Sequence, residues 1–242
     1  MVGVNIVVQA RMGSTRLPGK MMLDLYGEPL IFRILERLKR CRLVDNVILA
    51  IPDDDLNNIL YDTAIRLNDI KVVRGSEKNL IKRYQCAIEQ FPCDHVIRFP
   101  GDNVFPDPIQ IDRLIKFHVS HNSRGFSSNI ASVFGNNMID GVGAEIFSTS
   151  LLMNLSPDFS SEAQKEHLHL NFYDYGAAVA VNPSINVDAP SPEEGMARPE
   201  YVLDINTIEQ YPLIRDIYKN VCFQNELFTT ESIIKYLDTR AS

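Results

Sequence analysis

Within residues 9–20, QARMGSTRLPGK, the cations Arg11, Arg16 and Lys20 alternate with the hydroxyls of Ser14 and Thr15 and with two glycines, Gly13 and Gly19. Backbone amides plus cations at a strand-to-helix turn are a standard way to hold polyphosphates. Arginines grip phosphate oxygens in fork geometry, and a lysine acts as a mobile point charge. Glycine lets the backbone come close to such a ligand. The spacing matches neither GxxxxGK[ST] nor GxGxxG, so the segment is not a Walker A loop or a dinucleotide fingerprint. A solvated basic loop is the competing reading. Its place directly after the first apolar run, where open α/β sheets bind ligands, favours phosphate.

Acidic residues offer a second kind of chemistry. Asp102 follows Gly101 just beyond the apolar run at 95–99, and Asp204 follows the short apolar segment 201–203. If segment 201–203 is a strand of the same sheet, the two carboxylates converge; an Asx turn or helix cap is the alternative for each. Asp107 reads as the cap of the helix that follows it. The run Asp53-Asp54-Asp55 has the form of the DxD metal site of a nucleotide-sugar glycosyltransferase. Its position between a strand and an apolar helix is better explained by capping and helix-dipole complementation. His118 with His121, and His167 with His169, lack a third ligand nearby, so zinc is not expected. His118 and His121 are expected at the solvated end of their helix.

The elements that must position these groups alternate. Residues 4–10, 47–51, 70–73 and 95–99 read as buried strands. The spacing of Leu30, Ile31, Ile34, Leu35 and Leu38 predicts a helix, and further helices are predicted over 53–64, 78–90 and 108–121. This β-α-β-α-β-α-β-α order predicts a parallel sheet with ligands at the carboxyl ends of its strands. The loops after strands one and four then share that edge. Beyond residue 121 the pattern changes: short strands at 126–130, 144–147, 178–181 and 201–203, helices at 160–173, 208–221 and 230–237, and an irregular proline-rich stretch at 182–200. No internal repeat or linker splits the chain, so residues 1–242 are read as one domain. Residues 1–121 form a nucleotide-binding half, and 122–242 a half for acceptor binding, dimerisation and closure.

Composition sets the outer bounds. The chain has 242 residues, 45% hydrophobic and 23% charged, which excludes a disordered or low-complexity protein. A net charge of −7 argues against nucleic acid as a partner. No run of about 20 apolar residues spans a membrane. The four cysteines form no CxxC pair and, with no export signal, are expected as reduced thiols of a cytoplasmic protein.

QARMGSTRLPGK also resembles the signature of CTP-dependent sugar-acid cytidylyltransferases. It is most similar to their spore-coat polysaccharide (SpsF-like) branch, beside the 3-deoxy-manno-octulosonate and N-acylneuraminate cytidylyltransferases. The resemblance continues through LDLYGEPLIFRILERLK, VVRGS at 72–76 and RFPGDNVFPDP at 98–108. It then runs through DGVGAEIFS at 140–148, KEH at 165–167 and YVLD at 201–204. The resemblance implies a Rossmann-like, three-layer α-β-α nucleotidyltransferase fold with a mixed, mostly parallel sheet and a small β-rich excursion. It implies transfer of a cytidylyl group from CTP to a small acidic acceptor with release of pyrophosphate, for surface polysaccharide synthesis. Ala10, Arg11, Met12, Gly13, Ser14, Arg16, Lys20, Arg74 and Gly101 would bind the nucleotide, with Arg11, Arg16 and Lys20 stabilising charge during transfer. Asp102 and Asp204 would hold Mg²⁺. Asp140, Glu145, Glu166 and His167 would meet the acceptor, Glu166 and His167 positioning it or taking its proton. A homodimer is implied. The resembling family usually has a proline two residues after the aspartate of GD, where this chain has Asn103-Val104. The gap from Asp204 to the helix LIRDIY is also longer. A glycosyltransferase and a non-catalytic nucleotide-binding scaffold are the alternatives from other classes.

Overall fold

The structure, a computed structural model, describes residues 2–130, 136–223, 225 and 227–241. Strand β1 (Val4–Gln9) is buried along nearly its whole length because helices cover both faces of the sheet. It pairs in parallel with β2 (Asn46–Pro52) on one side and β4 (His95–Pro100) on the other, and β2 carries β3 (Ile70–Gly75) at the edge. Helices α1 (Leu30–Leu38), α2 (Asn58–Ala64), α3 (Leu80–Gln90) and α4 (Pro108–His121) alternate with these strands as the periodicity predicts. Asp107 caps α4 by accepting from the amides of Ile109 and Gln110, ahead of Pro108. Asp54 accepts from the Asn57 amide in the turn that leads into α2. The Asp53–Asp55 run is thus a helix start.

The second half extends the sheet. β5 (Phe126–Ser128) and β6 (Glu145–Ser148) are antiparallel to each other, and β6 is antiparallel to β4. Residues Tyr173–Asp174 (β7) and Val179–Ala180 (β8) form a separate hairpin, and β9 (Val187–Asp188) pairs in parallel with β5. Among the described residues the main sheet has seven strands in the order β3-β2-β1-β4-β6-β5-β9. Helices α5 (Thr149–Met153), α6 (Glu162–Glu166), α7 (Tyr211–Ile217) and α8 (Thr230–Ala241) complete the chain. Val4, Ile6 and Val8 of β1 face a core shared with α1, α2, α4, α7 and α8. Val7, Ile48 and Ala50 face α3, α5, Leu168 and Phe172. This is the three-layer, mixed, mostly parallel arrangement inferred above.

Three local expectations are corrected. Residues 201–203 form no strand; Asp204 instead makes a single antiparallel bridge with Asn103. Residues 160–173 are not one helix, since α6 ends at Glu166 and a 3₁₀ turn covers Leu168–Asn171. His118 does not sit at a solvated helix end: it is fully buried on the core face of α4, against His95 and Ser127. His121 is exposed and stacks on Phe117. All four cysteines are free, Cys41 and Cys222 buried. Among the described residues no helix is long and apolar enough to cross a membrane.

Candidate active site

The chain runs from β1 to β2 and β3 on one side and returns to place β4 on the other, so β1 and β4 flank the topological switch point where open sheets bind ligands. The register Gln9↔Pro100 makes the two strands end side by side. Gly101 then passes so close that a Cβ there would lie 2.5 Å from the Gln9 carbonyl oxygen, which only glycine avoids. The loop after β1 folds around Met12, whose carbonyl accepts the amides of Ser14 and Gly19 at 3.0 Å each. Its own amide donates to Asn57 Oδ1 at 2.9 Å. Met12 therefore anchors the loop, and neither it nor Gly13 lines the cleft. Ala10, Arg11, Ser14, Arg16, Lys20, Gly101 and Asp102 do line it, around a volume of about 400 Å³.

Lys20 Nζ donates to Asp102 Oδ2 at 3.1 Å and to the Ile205 carbonyl at 3.0 Å, which ties the basic loop to the segment after β4. Across the cleft, Arg11 Nη2 donates to Glu166 Oε1 at 2.9 Å, and His167 lines the same wall. This pair is largely solvated, so it contributes at most about 1 kcal/mol and opens readily to an incoming anion. Among the described residues the cleft is lined by seven Arg and Lys and four Asp and Glu. That is three positive charges in excess, in a chain of net charge −7, which selects an anionic ligand.

Asp204 reaches this region without a strand. Besides the bridge to Asn103, the Ile205 amide donates to the Asp102 carbonyl at 3.0 Å. Gly141, at φ +85°, lets the neighbouring Asp140 segment approach closely: a Cβ there would meet Leu203 at 2.4 Å. Burial, then Asp140 and Asp102, raise the Asp204 carboxyl above its ordinary range. Burial raises Asp140 as well, with Asp102 adding to it. Asn103-Val104 is a structural tie: Asn103 Nδ2 donates to the Gly143 carbonyl at 2.8 Å and Val104 is buried. Asp204 accepts from the side-chain amides of Asn206 and Gln210, and Lys20 adds one positive charge. Such crowded, half-desolvated carboxylates suit a hard divalent cation that brings its other oxygens from phosphate. Among the described residues no three His, Cys, Asp or Glu side chains form a metal-holding group by themselves.

Other expected residues lie elsewhere. Glu145 is fully buried in an ion pair with Arg98 at 2.7 Å and accepts from Tyr175 at 2.6 Å, so it braces the wall instead of facing an acceptor. Arg74 is turned outward by Asn58 at 2.7 Å and the Asp54 carbonyl, and its guanidinium lies over the Tyr61 ring, 5.3 Å from the centroid. Asp140 and Asp204 are both off the cleft lining, each within electrostatic reach of Asp102. Conversely, Gln9, Arg83 and Arg98 line the cleft and were not singled out in the sequence. An arginine inside a buried strand was the available signal for Arg98. Burial lowers the Arg83 guanidinium to about 10, with Arg11 adding to the effect. For Arg98 burial also acts to lower it, but the Glu145 carboxylate overrides this and the net shift is upward.

Residues 5–226 match the family described as Cytidylyltransferase. The chain belongs to the cytidylyltransferase family. It is 30% identical over 232 residues to the spore coat polysaccharide biosynthesis protein SpsF of Bacillus subtilis, covering 94% of this chain and 91% of that one. Its fold is similar to a cytidylyltransferase from Leptospira borgpetersenii, with a TM-score of 0.87 and 26% identity over 100% of this chain and 96% of the other. A CMP:2-keto-3-deoxy-manno-octonic acid synthetase complexed with CTP shares the fold alone, at a TM-score of 0.61 and 18% identity over 90% of this chain and 98% of that one. The enzyme is a nucleotidyltransferase, and the cleft at β1 and β4 is its candidate active site.

Proposed function

We propose that this cytidylyltransferase transfers CMP from CTP to a small sugar acid or related acid, for a surface polysaccharide. The observation that carries the reading is the cationic cleft at the β1–β4 switch point, closed by the Lys20–Asp102 contact. Arg11, Arg16 and Lys20 would grip the triphosphate. The acceptor oxygen attacks the α-phosphorus in line and pyrophosphate leaves, with these cations stabilising the charge that develops. Arg11 turns from Glu166 to phosphate as CTP enters. Glu166 and His167, on the wall where the acceptor approaches, position it and take its proton. Mg²⁺ would be held by Asp102 and Asp204, and would supply neutralisation of phosphate charge there.

A homodimer follows from the family resemblance; the exposed Val179 and Val181 beside the β7–β8 turn are apolar surface suited to it. Light scattering that gives twice the chain mass supports the dimer, and a monomer at all concentrations removes it. The activity itself is tested by pyrophosphate release from CTP and Mg²⁺ with a panel of 2-keto sugar acids. Acceptor-dependent release supports cytidylyl transfer, whereas turnover of a nucleotide-sugar without release from CTP rejects it.

A further inference from the structure

Arg83 is 4% exposed and lines the cleft, yet among the described residues its Nε and Nη1 hydrogens have no hydrogen-bond partner. A buried donor left unpaired costs free energy, more so when charged, unless a ligand arrives to accept. The neighbours have the same polarity. Arg98 uses Nε on Gln9 and Nη1 on Glu145, and among the described residues no hydrogen bond engages Nη2. An arginine offers only hydrogens, so the Gln9 atom 3.1 Å from Arg98 Nε is the amide oxygen. The Tyr84 hydroxyl holds the same oxygen at 3.2 Å. Gln9 is thereby fixed with its NH₂ group left over as a donor. Side-chain alternation puts Gln9 and Arg98 on the sheet face that packs on α3, the helix that carries Arg83.

We infer that Arg83, Arg98 and Gln9 form a donor-only station for the carboxylate of the acceptor, separate from the cations that hold the triphosphate. The inference rests on the cytidylyl-transfer reading for the identity of the other substrate. Three features favour a carboxylate. Arg83, Arg98 and the Gln9 NH₂ group present only hydrogens. Although the Glu77 carboxylate lines the same cleft within electrostatic reach of Arg83, it leaves the Arg83 Nε and Nη1 unpaired, so a group with only lone pairs fits these donors. A planar carboxylate matches guanidinium geometry. The triphosphate already has Arg11, Arg16 and Lys20 on the loop after β1. Glu145, buried behind Arg98 and held by Tyr175, keeps the Arg98 guanidinium in place without competing for Arg83.

The test uses Arg83→Met, which keeps the stem that packs on Gly75, and Arg83→Lys. Unliganded Arg83→Met should melt at or above the wild-type Tm, because it removes a buried cation whose donors are unpaired; a fall in Tm marks Arg83 as structural and overturns the assignment. The probes are 3-deoxy-manno-octulosonate, N-acetylneuraminate and their methyl esters, titrated with and without CTP. At least one free acid should stabilise the wild type while its methyl ester does not. Arg83→Met should weaken that acid about 10- to 100-fold, the range for loss of a charged hydrogen bond. Arg83→Lys should recover part of it, and CTP affinity should be unchanged in both. Equal binding of acid and ester, no response to any acid, or undiminished acid binding by Arg83→Met overturns the station. Loss of CTP binding in Arg83→Met reassigns the arginine to the nucleotide. Failure of the wild type to bind CTP rejects cytidylyl transfer while the acid titration still reads the station.

Discussion

The two ends of β4 both bury groups able to carry charge, and they do so in opposite ways. At the amino end, His95 Nδ1 lies 3.2 Å from His118 Nε2, and His118 Nδ1 lies 2.9 Å from the Ser127 hydroxyl. Burial, with His95 adding, lowers His118 to about 3, so this end is neutral and shares protons within a closed network. At the carboxyl end, Arg98 forms an ion pair with Glu145 at 2.7 Å, and Arg98 lines the cleft. Neutral networks hold β4, α4 and β5 together. The ionic one holds a guanidinium ready for a ligand. Along β4, the buried charge lies at the end that meets the cationic cleft, and the buried imidazoles at the other end are neutral.

Breaking the ionic end should have the largest effect. Glu145→Ala leaves Arg98 buried without its counter-charge and should cost about 3–5 kcal/mol of stability, measured by urea unfolding. Replacing both partners, Arg98→Met with Glu145→Leu, should recover most of that stability without recovering turnover. Recovery of both would place the pair outside the chemistry. Next, Lys20→Ala should lower turnover about 10²- to 10³-fold, the usual loss for one charge-stabilising donor. Its stability should change by no more than about 1 kcal/mol, because the Lys20–Asp102 pair is partly solvated.

The neutral end should respond to pH instead. His118 is depressed in the fold, so the unfolded chain binds the extra proton between its ordinary value near 6.5 and about 3. Stability is therefore fully present above about pH 6.5 and is lost as pH falls toward 3. That amounts to about 2–3 kcal/mol between roughly pH 6.5 and 4.5. A His118→Gln variant should show a flatter Tm profile across that range; an unchanged slope would assign the acid sensitivity elsewhere. The smallest effect is expected at Glu166→Ala, which removes an exposed partner of Arg11 and should shift stability by about 0.5 kcal/mol or less. Its consequence belongs in acceptor kinetics, not in the melting curve.

The first half of the chain was legible because its code is local. Apolar runs fix β1 to β4, helical spacing fixes α1, and Asp107 and Asp54 mark helix starts. The cleft-facing loop 10–20 followed from its composition and its place after β1. The second half is held by long-range contacts that leave little trace in a short window. Asp204 reaches Asp102 through one bridge and the close approach at Gly141, not through the strand expected at 201–203. Glu145 shares a motif with the acceptor region, yet its partner Arg98 lies 47 positions away and claims it. Arg74 follows β3 at the ligand edge, but Asn58 and Tyr61 of α2 draw it outward. Arg83 was hidden in an amphipathic helix, where an arginine ordinarily reads as solvent-facing.

The most direct measurement is thermal unfolding with CTP, UTP, ATP and GTP, each with and without Mg²⁺. A ligand at about 100 times its Kd adds roughly 2.7 kcal/mol, which moves Tm visibly. Stabilisation by CTP above the other three, strengthened by Mg²⁺ and diminished in Lys20→Ala, is the predicted result. No shift with CTP, or equal shifts with all four nucleotides, would contradict a cytidylyl-transfer site at the β1–β4 cleft.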